Sequence, residues 1–199
     1  MTTRPSPRLP AAERRRQLLD VALAAFGKDG FHQTSMNDIA EAAGVTKPVL
    51  YQHFGSKREL YLELLREVGD RMRDAVGKAT AEASTPREQV ERGFTAYFQW
   101  VSEHRTGFDV LFAGDTRRDR EFVREALRVE TGIAAAIADL IVIPGLSVDR
   151  RRLLAYGIVG MAETTCRHWL ADDLDVTPEQ LGAQVATLAW AGLRGQRPS

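Results

Sequence analysis

Residues 34–57 read TSMNDIAEAAGVTKPVLYQHFGSK, and the rest of the chain is best read outward from this stretch. Thr34 and Ser35 are N-cap residue types, Asp38 follows Ser35 by three, and Met36, Ile39, Ala40 and Ala43 form one apolar stripe. That pattern predicts a short helix over 35–43, ended by Gly44. Thr46 is the next cap, and Pro48 falls in the first turn, where its missing N–H leaves no helical bond unmade. A third helix therefore runs from 46 to about Phe54, before Gly55. Two short helices joined by Ala43-Gly44-Val45 make a helix-turn-helix. The turn demands positive φ at Gly44, a conformation that costs a residue with a side chain about 1 kcal/mol or more. Ala40 is small because the second helix crosses close to the first there, and Val45 and Leu50 fill the wedge between them.

Upstream, Leu18, Leu19, Ala22, Leu23, Ala25 and Phe26 form a stripe that predicts a helix over 11–29, stopped by Gly30 as a left-handed residue. Downstream, Ser56-Lys57-Arg58-Glu59 reads as a capping box opening a fourth helix over 57–80, with Leu60, Leu64 or Leu65, Val68 and Met72 inward. Ala83-Ser84-Thr85-Pro86 then breaks the chain between head and body. Further helices are expected at about 87–104, 106–113, 117–141, 149–171 and 177–193. No alternating strand pattern and no repeat is present, so the fold class is all-α. By function the chain divides into a disordered arm at 1–10, a helix-turn-helix head at 11–56 and a larger helical body at 57–199.

Composition excludes several classes. The single cysteine, Cys166, rules out an internal disulfide and a multi-cysteine zinc site, which suits a reducing cytoplasm. No run approaches the ~18 apolar residues of a membrane span. Met1 to Pro10 has no apolar core and is not a signal peptide. The four histidines, at 32, 53, 104 and 168, form no ligand-like pair, and H-E-x-x-H, P-loop and G-x-G-x-x-G are missing. Cys166 and His168, two apart on a helix, point to different faces. No metal site, cofactor or enzymatic activity is expected. Net charge is zero, but residues 1–60 carry nine Lys/Arg against six Asp/Glu, and the remainder eighteen against twenty-one. A mildly basic head on an acidic body is compatible with phosphate contact by the head alone.

A two-turn recognition helix brings few side chains to base edges. Lys47, with Thr46 beside it, can donate to guanine O6 and N7, and Pro48 and Val49 offer apolar surface to a thymine methyl. Tyr51 and His53 can donate to phosphate oxygens, which sets register without reading sequence. The alternatives are a core aromatic for Tyr51 and an ordinary surface histidine for His53. Lys57, at the N-terminus of the fourth helix, is expected at a phosphate, as are Thr34 and Ser35 at the second; the alternative for Lys57 is a solvated capping residue. Arg4, Arg8 and Arg14-Arg15-Arg16 can add minor-groove or phosphate contacts, or form a solvated helix face.

Thr34, Ile39-Ala40, Ala43-Gly44-Val45, Leu50-Tyr51, Phe54 and Ser56-Lys57 together resemble the DNA-binding head of the TetR family, over about residues 12–65. The resemblance implies a repressor that acts as a homodimer on a palindromic operator in double-stranded DNA, cytoplasmic and nucleoid-associated when bound. It also implies a base contact from Asn37. The family usually has a small residue where Pro48 or Val49 stands here, which bears on which operator is bound. The body then encloses a small-molecule effector. Tyr97, Trp100, His104, Phe108, Phe112, Met161, Glu163 and Arg167 are the candidate pocket residues; Glu163 and Arg167, four apart on one helix, can instead simply pair.

For association, Leu153, Tyr156 and Gly160 on the eighth helix and Leu181, Val185 and Leu188 on the ninth are expected to meet their symmetry mates in a four-helix interface, or else to pack within one subunit. One recognition helix reads too few base pairs alone, which favours two copies on a palindrome. The implied mechanism is that ligand shifts the fourth helix and changes the separation of the two recognition helices, which must match grooves about 34–36 Å apart. The rival function is an architectural DNA binder, or an activator, without an effector.

Overall fold

The computed structural model describes residues 10–112, 118–172 and 174–196. Among them the chain is all-α, as expected, with no strand. The helices are α1 (Ala11–Gln33), α2 (Met36–Ala42), α3 (Lys47–His53), α4 (Lys57–Ala81), α5 (Pro86–Glu103), α6 (Arg105–Phe112), α7 (Arg120–Leu140), α8 (Val148–Ala171) and α9 (Pro178–Arg194). Arg4 and Arg8 lie outside the described residues.

Local chemistry accounts for most boundaries. Ser35 and Asp38 form a reciprocal capping box at α2 (Asp38 N to Ser35 Oγ 3.2 Å, Ser35 N to Asp38 Oδ2 2.8 Å). Ser56 caps α4 by accepting from Glu59 N at 3.1 Å, but Glu59 does not complete the expected box: its carboxylate reaches one residue further, to Gly55 N at 3.0 Å. Thr85, Ser147 and Thr177 cap α5, α8 and α9 through their side chains. Gly30 has φ 77° and ψ 167°, so α1 breaks there and residues 31–33 add a last turn in a new direction. Gly44 has φ 64°, as the turn requires.

α1, α2 and α3 pack around Leu18, Leu19, Ala22, Ile39, Leu50 and Phe54, all nearly or wholly buried. Leu60, Leu64 and Leu65 close that core from α4, so both of the adjacent leucines turn inward. α4 then continues into the body with Val68 and Met72 buried. It runs parallel to α7, as the ladder of contacts shows: Arg58 to Asp119 and Glu121, Arg66 to Glu125, and Gly69 against Val129. A β carbon at Gly69 would lie 2.5 Å from Val129 Cγ1, so the two helices meet closely there. α5 packs antiparallel on α9, with Gln99 bonded to Glu179 and Gly182 against the Thr95 backbone. At Gly182 a β carbon would be 2.8 Å from Thr95 Cα, which is why glycine stands there.

Head and body join through aromatic rings. Phe31 and Tyr61 both pack on Phe122, with centroids 4.9 and 4.6 Å away, and Phe26 meets Tyr61 edge-on at 5.0 Å. α6 lies against α1, where Thr106 and Val110 sit beside Gly27.

Candidate DNA interface and ligand cavity

The head presents one outward surface. Ser35, Asn37, Thr46, Lys47, Pro48 and Tyr51 are exposed, and Val49 and His53 are half-buried. Tyr51 is 43% exposed, so it is a surface aromatic rather than a core one. Lys47 Nζ lies 6.0 Å from the centre of the Tyr51 ring. At α2, the capping box already uses the Ser35 and Asp38 N–H groups. The Asp38 carboxyl is held below the usual range by the Ser35 hydroxyl, then by the Ser35 backbone N–H.

Two expected DNA contacts are turned inward instead. Thr34 is buried, and its hydroxyl donates to Gly30 O at 2.8 Å. Lys57 donates to Phe31 O at 2.7 Å, Thr34 O at 2.9 Å and His32 O at 3.4 Å, with the Phe31 ring 4.5 Å below its ammonium. The physical reason is the break at Gly30. It leaves carbonyls at the end of α1 without helical donors, and a buried-side ammonium satisfies them. Arg15 behaves likewise, paired with Glu63, donating to His53 O, and stacked 4.3 Å over Phe54. It pins the end of α3 while staying partly exposed. Arg16 is exposed.

Behind the head, Arg58 bonds Asp119 at 2.7 and 3.1 Å and Glu121 at 2.8 Å, and lies over Phe122. Asp119 also caps α7 through Glu121 N and Phe122 N. The Arg58 hydrogen bond is the main reason the Asp119 carboxyl is lowered to about 2.

The body contains a cavity of about 440 Å³ between α4, α5, α7, α8 and α9, within the size range of small-molecule sites. Its wall is mostly apolar, with Met72 and Val76 from α4, Val90 and Phe94 from α5, Ile133 and Ile137 from α7. Tyr97, Phe112 and Glu163 line it, as the sequence suggested. The other five candidates do not. Trp100 is buried and stacks on His104 with rings 4.9 Å apart, closing the end of α5. Phe108 is buried between α6 and the core, and Met161 packs against that core too. Arg167 pairs with Glu163 one turn behind the wall.

Sequence reading missed the α4 and α7 faces of the cavity and the segment Ile141-Val142-Ile143-Pro144 at its rim. The signal was available as a run of three β-branched residues, Ile141 to Ile143, at and just past the end of the helix expected over 117–141; in the fold Val142 is 84% exposed.

The expected dimer face divides. Leu153 is 70% exposed, Leu188 66% and Tyr156 45%, and Gly157 and Gly160 have open space above them. Leu181 and Val185 are buried against α5 within the same subunit and belong to the core, not to an outer face. Their stripe faces inward because Gly182, between them, lets α9 press onto Thr95.

Comparison with known proteins follows the same division. Residues 18–64 match the profile of bacterial regulatory proteins of the tetR family, and residues 86–192 match a tetracyclin repressor-like C-terminal domain. The chain is 33% identical to the HTH-type transcriptional activator FasR of Mycolicibacterium smegmatis, over 94% of this chain and 85% of that one. This protein belongs to the TetR family. The HTH-type transcriptional repressor KstR2 of the same organism is 28% identical, over 94% of each chain. Among solved structures, a TetR-like transcriptional regulator from Rhodococcus sp. RHA1 superposes with a TM-score of 0.74 at 30% identity, covering 95% of this chain and all of that one. FadR from Bacillus subtilis, solved in complex with stearoyl-CoA, shares the fold at a TM-score of 0.76 and 20% identity, covering 89% of this chain and 98% of that one. The TetR-family member described here is thus a DNA-binding transcriptional regulator. Among the described residues no helix is long and apolar enough to cross a membrane.

Proposed function

We propose that this regulator is a homodimeric repressor that holds a palindromic operator in the cytoplasm and is released when an amphipathic ligand with a long apolar chain fills the body cavity. The observation that carries this is the cavity itself, about 440 Å³ and walled by apolar side chains from α4, which also closes the core of the head. A ligand that favours one tilt of α4 alters the placement of the recognition helix by its differential affinity for the two arrangements. FadR of Bacillus subtilis, which shares the fold, was solved in complex with stearoyl-CoA. The exposed stripe of Leu153, Tyr156, Gly157, Gly160 and Leu188 is the surface on which two copies would pair. On the DNA side Asn37 and Lys47 read bases, Thr46, Pro48 and Val49 add contacts in the groove, and Ser35, Tyr51 and His53 meet phosphates.

The test is selection of the operator from random duplex DNA, followed by anisotropy titrations with palmitoyl-CoA. An inverted repeat, weakened binding with the ligand, and a changed sequence preference in Lys47→Ala are the expected results. No preference for any duplex over heparin refutes the operator reading. An acyl ligand that binds without changing operator affinity leaves an architectural role.

A further inference from the structure

One hydrogen-bond donor in the cavity wall, and a second one turn behind it, have no acceptor. The Tyr97 hydroxyl and the Arg167 Nε are both buried and unpartnered. Buried polar groups are nearly always satisfied, and a donor left alone loses its hydration without recovering it.

The geometry of the helices places this pair. α5 descends from Pro86 at the rim, and Tyr97 is the last of its residues in the wall. α4 runs antiparallel to α5, with Thr80 beside Gly93, so Thr80 and Pro86 mark the rim and Met72 the interior. On α8 the wall ends at Glu163, which holds the Arg167 guanidinium one turn on. Tyr97 and Arg167 are close enough to interact electrostatically. Glu163 in the wall is already paired with the Arg167 guanidinium, so the charges at this end meet each other. What stays open there is a neutral donor, the Tyr97 hydroxyl, which suits a neutral oxygen. Burial, then the neighbouring Cys166 and Glu163, push the Tyr97 phenol well above its ordinary range, so it keeps its proton.

We propose that the inner end of the cavity is a hydrogen-bonding subsite, with Tyr97 as its donor, that selects apolar effectors carrying a neutral oxygen, hydroxyl or carbonyl, at the end that enters first. This rests on the cavity's being the effector site. It adds that a plain saturated chain is not the preferred occupant.

The experiment uses the full chain and two probe pairs, lauric acid against ω-hydroxylauric acid and palmitic acid against ω-hydroxypalmitic acid, measured by calorimetry on wild type and Tyr97→Phe. For the chain length that reaches Tyr97, the ω-hydroxy acid binds about three- to tenfold tighter to wild type. In Tyr97→Phe that preference disappears, the ratio of the two affinities within each pair falling to about one. Without ligand, Tyr97→Phe melts no lower than wild type, because the hydroxyl it removes has no partner. Equal affinity within both pairs overturns the subsite and leaves the acyl reading standing, as does a preference that survives in Tyr97→Phe. A lower melting temperature for Tyr97→Phe likewise overturns it. Failure of all four acids to bind overturns both.

Discussion

Lys57 and Leu188 mark two habits of this molecule. In the head, two cations turn inward, Lys57 onto three carbonyls and Arg15 onto Glu63 and the His53 carbonyl, while Arg16 and Lys47 stay outside. In the body, apolar side chains are left outside, Leu153 and Leu188 foremost. The difference follows from helix length. Three helices of 23, 7 and 7 residues have many ends for their size. Around the end of α1 and at the end of α3 cations donate to the carbonyls there, whereas the turn's own N–H groups serve α2. The body's long helices have few ends but more apolar surface than one subunit covers, and the surplus is available to a second chain.

The sharpest way to break this comparison is to place a charge on each side of α9. Val185→Asp buries an unpaired carboxylate and is expected to cost about 3 kcal/mol or more, seen as loss of helical signal or a sharply lower urea midpoint. Leu188→Asp, three residues on, should keep the helical spectrum and halve the mass by light scattering. If Val185→Asp instead gives a folded monomer, the assignment of inner and outer faces is reversed. Lys57→Ala is next, removing a charged donor from three carbonyls at a cost of about 1.5–3 kcal/mol. It should leave the salt dependence of DNA binding unchanged, since this ammonium meets no phosphate; a flatter slope would return it to the DNA surface. Gly44→Ala should cost about 1 kcal/mol through backbone conformation alone, because nothing lies within 4 Å of a β carbon there.

The smallest effect is electrostatic. Asp119 is lowered to about 2 in the folded chain, against about 3.9 unfolded, so its contribution is present above pH 4 and lost as pH falls through 2. Asp119→Asn keeps a capping side chain and should lower the melting temperature slightly at neutral pH, the gap closing in acid. A gap that persists at pH 2 would mean that charge pairing with Arg58 is not the source.

Local chemistry made the head legible. Gly44, the Ser35–Asp38 box and the wedge of Ala40 and Leu50 each follow from two or three neighbouring residues. Lys57 was misread because its partners lie 23 to 26 residues away, across a break whose unsatisfied carbonyls only the folded chain brings near. In the body, periodicity located every helix but could not say which of two apolar faces on α9 turns inward. That choice is set by Gly182, whose value depends on Thr95 lying opposite. The cavity wall was half legible for the same reason: Tyr97 and Glu163 carry visible chemistry, whereas Ile133 and Ile137 differ from core residues only in what they face.

The close approach of Gly69 to Val129 falls at the midpoint of α4, twelve residues from Lys57 and twelve from Ala81. At 1.5 Å per residue each arm is about 18 Å long. A helix with no break and a central bearing works as a balanced beam: a tilt of about 5° moves each tip by roughly 1.6 Å, in opposite senses. Whatever pushes the Thr80 tip outward draws the Lys57 tip inward by the same amount, with neither gain nor loss.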